Sequence, residues 1–124
     1  NSVLNQTFRD FEVVIIDDAS TDDSLSIIKS YSEKYSFIKY LSTGINMGAG
    51  GARNLGVQNC SGEWLSILDA DDLFLSEKLQ KQFNVLSLSN ENIVLIGTAS
   101  HSINNQGIRT DTSTYPINSK QSGL

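Results

Sequence analysis

A chain of 124 residues with 39% hydrophobic content suits one compact domain, or a piece of a larger one, and is too apolar to be disordered throughout. The formal charge of -5 and pI near 4.6 repel nucleic-acid backbones and anionic membranes on average, so any phosphate it binds needs local help. No apolar run approaches the roughly 20 residues of a membrane span, no signal-peptide pattern opens the chain, and Cys60 alone makes neither an intrachain disulfide nor a zinc cluster; a cytoplasmic protein is expected.

The opening "NSVLNQTF" reads as the last turns of a helix, whereas a doubly wound sheet normally opens with a strand. The expectation is a piece lacking its first strand and the part of any pocket that strand builds. "FEVVIIDDAS" packs Val13, Val14, Ile15 and Ile16 without alternation, as in a strand covered on both faces, and ends in Asp17 and Asp18. "STDDSLSIIKSYSEKY" predicts a helix with Ser20 or Thr21 as N-cap, acids in its first turn, and Leu25, Ile28, Tyr31 and Tyr35 at helical spacing. "FIKYL" reads as a short strand, and "NMGAGGARNLGV" as a glycine-rich turn running into a helix through Ala52, Leu55 and Val57.

"EWLSILDADD" repeats the first pattern, an apolar strand, with Trp64 in the core, delivering Asp69, Asp71 and Asp72 at its end. Ser76 and Glu77 open another helix with Leu79, Phe83 and Leu86 on one face, and "NIVLIGTAS" supplies a further strand. "INNQGI" predicts a hairpin turn between Ile103 and Ile108, followed by a polar tail too poor in apolar surface to offset its ordering entropy.

This alternation predicts an α/β fold: an open, mostly parallel sheet flanked by helices, Rossmann-like and incomplete. Ligands bind such sheets at the C-terminal ends of the strands, so Asp17, Asp18, Asp69, Asp71 and Asp72 are expected in one crevice. Crowded carboxylates repel, and a divalent cation offsets that repulsion. Asp69 and Asp71 flank Ala70, so a turn there converges both on one hard ion, Mg²⁺ or Mn²⁺, with waters and a ligand's phosphates completing its shell. An EF-hand loop is excluded, because Leu73, Phe74 and Gln80 occupy its acid, glycine and final glutamate positions. Taken alone, the triplet is better explained by a solvated turn with acids at a helix N-terminus; its context changes that.

Together "SVLNQTFRDFEVVIIDDASTDDS", "NMGAGGARNLGV" and "GEWLSILDADDLFLSEKLQKQ" resemble, in order and spacing over roughly residues 1 to 86, the family 2 glycosyltransferases, which have the GT-A fold. The resemblance implies a single partial domain over 1–124, with the nucleotide-sugar-binding part at about 1–103 and a polar hairpin and tail at 104–124. It implies an inverting, metal-dependent transferase of polysaccharide biosynthesis, moving sugar from a nucleotide-sugar donor, by default a UDP-sugar, to a glycan or lipid-linked acceptor. The parent protein would then work in the cytoplasm or at the inner face of a membrane.

By the same resemblance Asp18, and with it Asp17, contacts the nucleobase, and the Asp-X-Asp motif falls on Asp69 and Asp71. Asp71 then holds the metal, and Asp69 contacts the ribose or supports the metal shell. Arg53 contacts the nucleotide or bridges to Asp17 or Asp18. Asp72 orients neighbours or caps a turn; Asn46 shapes a turn and Asn54 caps or packs. His101 reads as a surface or packing residue before a metal ligand or base, and Cys60 as packing. The family's catalytic base lies further downstream, and Asp111, the tail's only acid, lacks the surroundings of one.

Two other readings share the pattern. A response-regulator receiver domain also ends an apolar strand in an acidic pair, and Thr98 follows "IVLIG"; but it begins with that strand, has a late Lys before a Pro where only Pro116 stands, and does not follow its acceptor aspartate with two further acids. A nucleotidyltransferase uses the same metal chemistry with a basic glycine-rich loop after its first strand.

Overall fold

The computed structural model describes residues 1–89 and 92–111. The chain divides into two compact units, Asn1–Lys81 and Gln82–Leu124. In order the elements are β1 (Val13–Asp17), α1 (Ser24–Lys34), β2 (Ile38–Ser42), α2 (Gly48–Asn59) and α3 (Lys78–Leu88). No helix among the described residues is long and apolar enough to cross a membrane.

β1 and β2 pair in parallel, from Val13 opposite Ile38 to Asp17 opposite Ser42, so the two strands end side by side. A parallel pair needs a crossover, and α1 provides it, packing on both strands while α2 packs on β1. At the strand entrances Phe37 meets Phe11 edge-on at 5.6 Å and Tyr35 at 5.7 Å, contacts worth about 0.5–1.5 kcal/mol each beyond the area they bury. Glu12, just before β1, ties two neighbours: Oε2 lies 2.7 Å from Lys39 Nζ on β2, and Oε1 accepts from the backbone N–H and hydroxyl of Ser61 after α2. The Lys39 and Ser61 hydrogen bonds lower the Glu12 pKa to about 2.

The fold class is α/β with a parallel sheet, as the alternation of elements predicts, but among the described residues the sheet has two strands. Among the described residues, the segments expected as strands at 64–69 and 93–97 have no ladder partner, and Leu65, Ile67, Val94 and Leu95 are exposed. Trp64, expected in the core, is 44% exposed. A strand exists only through hydrogen bonds to a neighbour, and an apolar run by itself supplies none. Val13 to Ile16, though paired with β2, are half-buried and not covered on both faces.

The first helix also starts later than its sequence suggests. Asp23 is the N-cap residue and makes no side-chain cap bond, so Ser20 and Thr21 do not cap and no acid lies in the first turn. The chain turns first: Ala19 takes the left-handed conformation at φ 61°, and Ser20 N–H bonds back to Asp17. Asp22 Oδ1 accepts from Ser24 N–H at 3.0 Å, serving the helix start from outside it.

A buried amide joins the two ends of the first unit. Gln6 is fully buried; its Nε2 donates to the Leu75 carbonyl at 2.8 Å and the Ser2 carbonyl at 3.2 Å, and its Oε1 accepts from Leu79 N–H at 3.1 Å. Thr7 N–H donates to the Ser76 carbonyl at 2.8 Å beside it. The N-terminal turn is thus fastened to the start of α3, immediately after the 69–72 acids.

In the second unit the expected hairpin is present. Ile103 bridges Arg109 antiparallel, and Asn104 N–H donates to the Ile108 carbonyl at 2.9 Å. Asn104 Oδ1 accepts from Gln106 and Ile108 N–H, and Gly107, at φ 75°, takes the conformation the turn needs. The polar tail beyond 111, Pro116 included, lies outside the described residues.

Candidate functional site

Asp17 and Asp18 emerge together from the end of β1, but they face different partners. Asp17 is 3% exposed, accepting from Ser20 N–H at 3.3 Å and from the hydroxyl of Ser42, its register partner on β2, at 2.9 Å. The Ser20 hydrogen bond leads in lowering its pKa; Ser42 adds to this, and burial opposes it. Asp17 is therefore a brace between strand and turn.

Asp18 reaches across to the glycine-rich turn. Its Oδ1 accepts from Met47 N–H and its Oδ2 from Gly48 N–H, each at 2.8 Å. The Thr43 hydroxyl lies 3.0 Å from Oδ1 and 2.6 Å from the Ile45 carbonyl, sharing one proton between them. Gly48 stands at φ 74°, and Asn46 Oδ1 also accepts its N–H, the turn-shaping role expected of Asn46. A negative side chain over the first N–H groups of α2 satisfies orphan donors and suits the positive end of the helix dipole.

Arg53 follows on α2, about 7–8 Å along the axis from Gly48 at 1.5 Å per residue. Its Nη2 donates to both oxygens of Asp69, at 2.8 and 2.9 Å, and the Asp69 hydrogen bond and charge raise the Arg53 pKa. Arg53 does not bridge to Asp17 or Asp18: those carboxylates take their hydrogen bonds from Ser20, Ser42, Thr43 and the α2 start, and the guanidinium pairs with Asp69 on the other acidic segment. Asp72 N–H donates to the Asp69 carbonyl at 3.1 Å and closes a tight turn over 69–72, from which Asp71 and Asp72 project into solvent.

Helix α2 therefore connects both acidic junctions, Asp18 at its N-terminus and Asp69 through Arg53. Sequence reading named these acids and Arg53 but missed Ser42 and Thr43. The signal was present: in a parallel pair, hydroxyls ending one strand lie beside acids ending the other.

Among the described residues no three acids, histidines or cysteines gather as a metal cage. Asp69 and Asp71 still fit a divalent ion chemically: both are exposed, both offer hard oxygen, and one turn carries them, leaving the rest of the shell to water and a ligand's phosphates. A surface depression lined by Asn1, Ser30, Tyr31, Lys34 and Tyr35 lies on α1 and includes none of the acids.

In the second unit His101 Nδ1 lies 3.3 Å from Asp111 Oδ2, and Arg109 Nε donates to Asp111 Oδ1 at 2.9 Å. Burial raises the Asp111 pKa, and the Arg109 and His101 hydrogen bonds outweigh it, leaving the carboxyl lowered. Cys60 is half-buried, its Sγ 3.1 Å from the Val57 carbonyl, and Asn54 is exposed.

Comparison with known proteins gives a consistent answer. The model of "Glycosyl transferase family 2" matches residues 1–123. An uncharacterized glycosyltransferase of Haemophilus influenzae is 39% identical over 85 residues, covering 68% of this chain and 34% of the relative. Another, from Rickettsia conorii, is 41% identical over 106 residues, 86% of this chain and 17% of the relative. A cholesterol galactosyltransferase of Borreliella burgdorferi is 41% identical over 91 residues, 73% of this chain and 25% of that protein. The chain thus spans 34% or less of the length of each of these curated relatives.

Proposed function

The chain belongs to glycosyltransferase family 2, and from that premise we propose that it carries part of the donor site of an inverting transferase. The donor is a nucleotide-sugar, a UDP-sugar first; the acceptor is a glycan or lipid-linked molecule; the metal is Mn²⁺ or Mg²⁺. The observation that carries this reading is the linked set of Asp18, the α2 start, Arg53 and Asp69. Neither the receiver nor the nucleotidyltransferase reading has a comparable observation behind it.

Asp18 holds the glycine-rich turn and still has room for a ligand. A carboxylate offers about four acceptor sites, so its contacts with Met47, Gly48 and Thr43 leave room for one more donor, such as the imide N–H of a uracil ring. Asp17, bonded to Ser20 and Ser42, braces the strand end that carries Asp18. Arg53 and Asp69 face the rest of the nucleotide, with Asp69 toward the ribose or the metal shell. Asp71, with Asp69, would hold the metal, which when bound would supply positive charge against the departing diphosphate. Transfer itself needs a carboxylate base, which we assign to no residue of this chain. A galactosyl donor with a sterol acceptor, the pair in the name of the Borreliella relative, is one combination to try.

The test is calorimetric titration of the chain with UDP and UDP-sugars, with and without Mn²⁺. Saturable binding that Mn²⁺ strengthens is expected, with the metal effect lost in Asp71→Ala. An Asp71→Ala chain with unchanged metal dependence removes the assignment.

A further inference from the structure

Both legs of the 69–72 turn hang from the segment that the buried amide of Gln6 holds. On the outgoing leg Gln6 Nε2 donates to the carbonyl of Leu75, a short step past Asp72, at 2.8 Å, and Oε1 accepts from Leu79 N–H at 3.1 Å. Lys78, between those two contacts, reaches back to the incoming leg. Its Nζ donates at 3.1 Å to the hydroxyl of Ser66, which precedes Asp69, and stands 4.0 Å from the centre of the Phe74 ring. Thr7 N–H on the Ser76 carbonyl, at 2.8 Å, holds the same segment a second time. None of these contacts involves an acid, but together they fix both ends of the loop whose Asp69 meets Arg53 on α2.

The geometry points to Gln6 as a positioning residue of the donor site: it sets the register in which residues 75–79 dock and, with Lys78 as the return tie, the place of the 69–72 turn against Arg53. The inference rests on the nucleotide-sugar reading above and adds a residue to it. An apolar side chain of the same size would fill the hole in several registers, because hydrophobic packing has no direction. The amide fits in one. Its donor end faces carbonyls and its acceptor end an N–H, so a slip by one residue sets like groups against each other and leaves buried polar atoms unpaired. Such a slip also moves an extended chain by about 3.3–3.6 Å, more than the 2.8 and 2.9 Å contacts of Arg53 with Asp69 can survive. Far smaller displacements matter to a site, since a shift of about 1 Å caused by a distant substitution can cost about 100-fold in function.

The experiment compares Gln6→Met with Phe11→Leu, which weakens the aromatic contact at the strand entrances, away from the acids. Both are measured where circular dichroism shows them folded, by calorimetric titration with UDP and by amide hydrogen exchange. In Gln6→Met, UDP is expected to bind about 10- to 100-fold more weakly. Asp72 N–H, which bonds to the Asp69 carbonyl, is expected to exchange about tenfold faster relative to the amides of β1, the mark of a local opening. In Phe11→Leu, UDP affinity stays within about twofold and protection falls evenly, as for an independent site. Lys78→Met removes the tie to Ser66 and should move both measurements the same way by less. If folded Gln6→Met binds UDP as tightly as the unsubstituted chain, or its Asp72 amide exchanges only in step with β1, Gln6 stabilises the fold alone and the inference is wrong. Where Gln6→Met does not fold, an unchanged Asp72 amide in Lys78→Met overturns it. If the unsubstituted chain binds no UDP, the donor-site reading falls, and the exchange pattern decides whether Gln6 sets the turn.

Discussion

Replacing Gln6 tests how the first unit is held together, and its cost can be worked from the contacts. The fully buried amide makes hydrogen bonds to the Leu75 and Ser2 carbonyls and to Leu79 N–H. Gln6→Met keeps the volume and removes all three. At about 1 kcal/mol net per bond, the loss is about 3 kcal/mol, a shift of roughly 150-fold in the folded-to-unfolded ratio. Gln6→Ala adds a cavity and costs more.

Gln6→Glu supplies the sharper control. One oxygen still accepts from Leu79 N–H, but the other faces the two carbonyls where an amide N–H₂ had donated. Burial and those carbonyls raise the folded-state pKa above the ordinary value of about 4.3. The folded state then binds its proton more tightly than the unfolded state does. Relative to the unsubstituted chain at the same pH, the variant is least impaired below about pH 4 and loses stability as pH rises through the raised value. Urea unfolding followed by circular dichroism between pH 4 and 8 measures both effects. A Gln6→Met loss below 0.5 kcal/mol, or a Gln6→Glu deficit independent of pH, would refute the reasoning.

Glu12 acts in the opposite direction. Its pKa is lowered from 4.5 to about 2, so its contribution is complete above the unfolded value and is lost as pH falls through the folded one. The stability difference between the unsubstituted chain and Glu12→Gln should shrink from pH 5 toward pH 2 in acid titrations of the unfolding midpoint. Asp18→Ala uncaps α2 and should cost about 1–2 kcal/mol in thermal unfolding, with Asp18→Asn intermediate; equal stability of all three chains would show that the cap is idle. Gly48→Ala meets no atom within 4 Å but must hold φ near 74°, so it should cost about 1–2 kcal/mol from backbone strain alone. Gly48→Asn, better suited to that conformation, should recover part of the loss in the same melt.

Much of the local structure was legible because it depends on residues close in sequence. The apolar runs at 13–16 and 38–41, the glycine-rich opening of α2, the spacing of Leu79, Phe83 and Leu86, and the Asn104–Gly107 turn each carry their own signal. The acids at the end of β1 were legible for the same reason, since composition changes abruptly where the strand stops.

Tertiary structure alone decided what those groups touch. Nothing local to "DDAS" says that Asp17 turns inward to Ser42 while Asp18 crosses to Met47 and Gly48, 29 and 30 positions away. Nor does "GARNLG" announce that Arg53 meets Asp69. The runs at 64–69 and 93–97 make the point from the other side: their apolar residues favour a strand, yet a strand is a relation between two segments, and without a partner's N–H and C=O groups that preference yields none. Sequence specified where charge and apolar surface stand along the chain. Which carboxylate turns inward to its neighbouring strand and which crosses to another element was settled by the long-range hydrogen bonds.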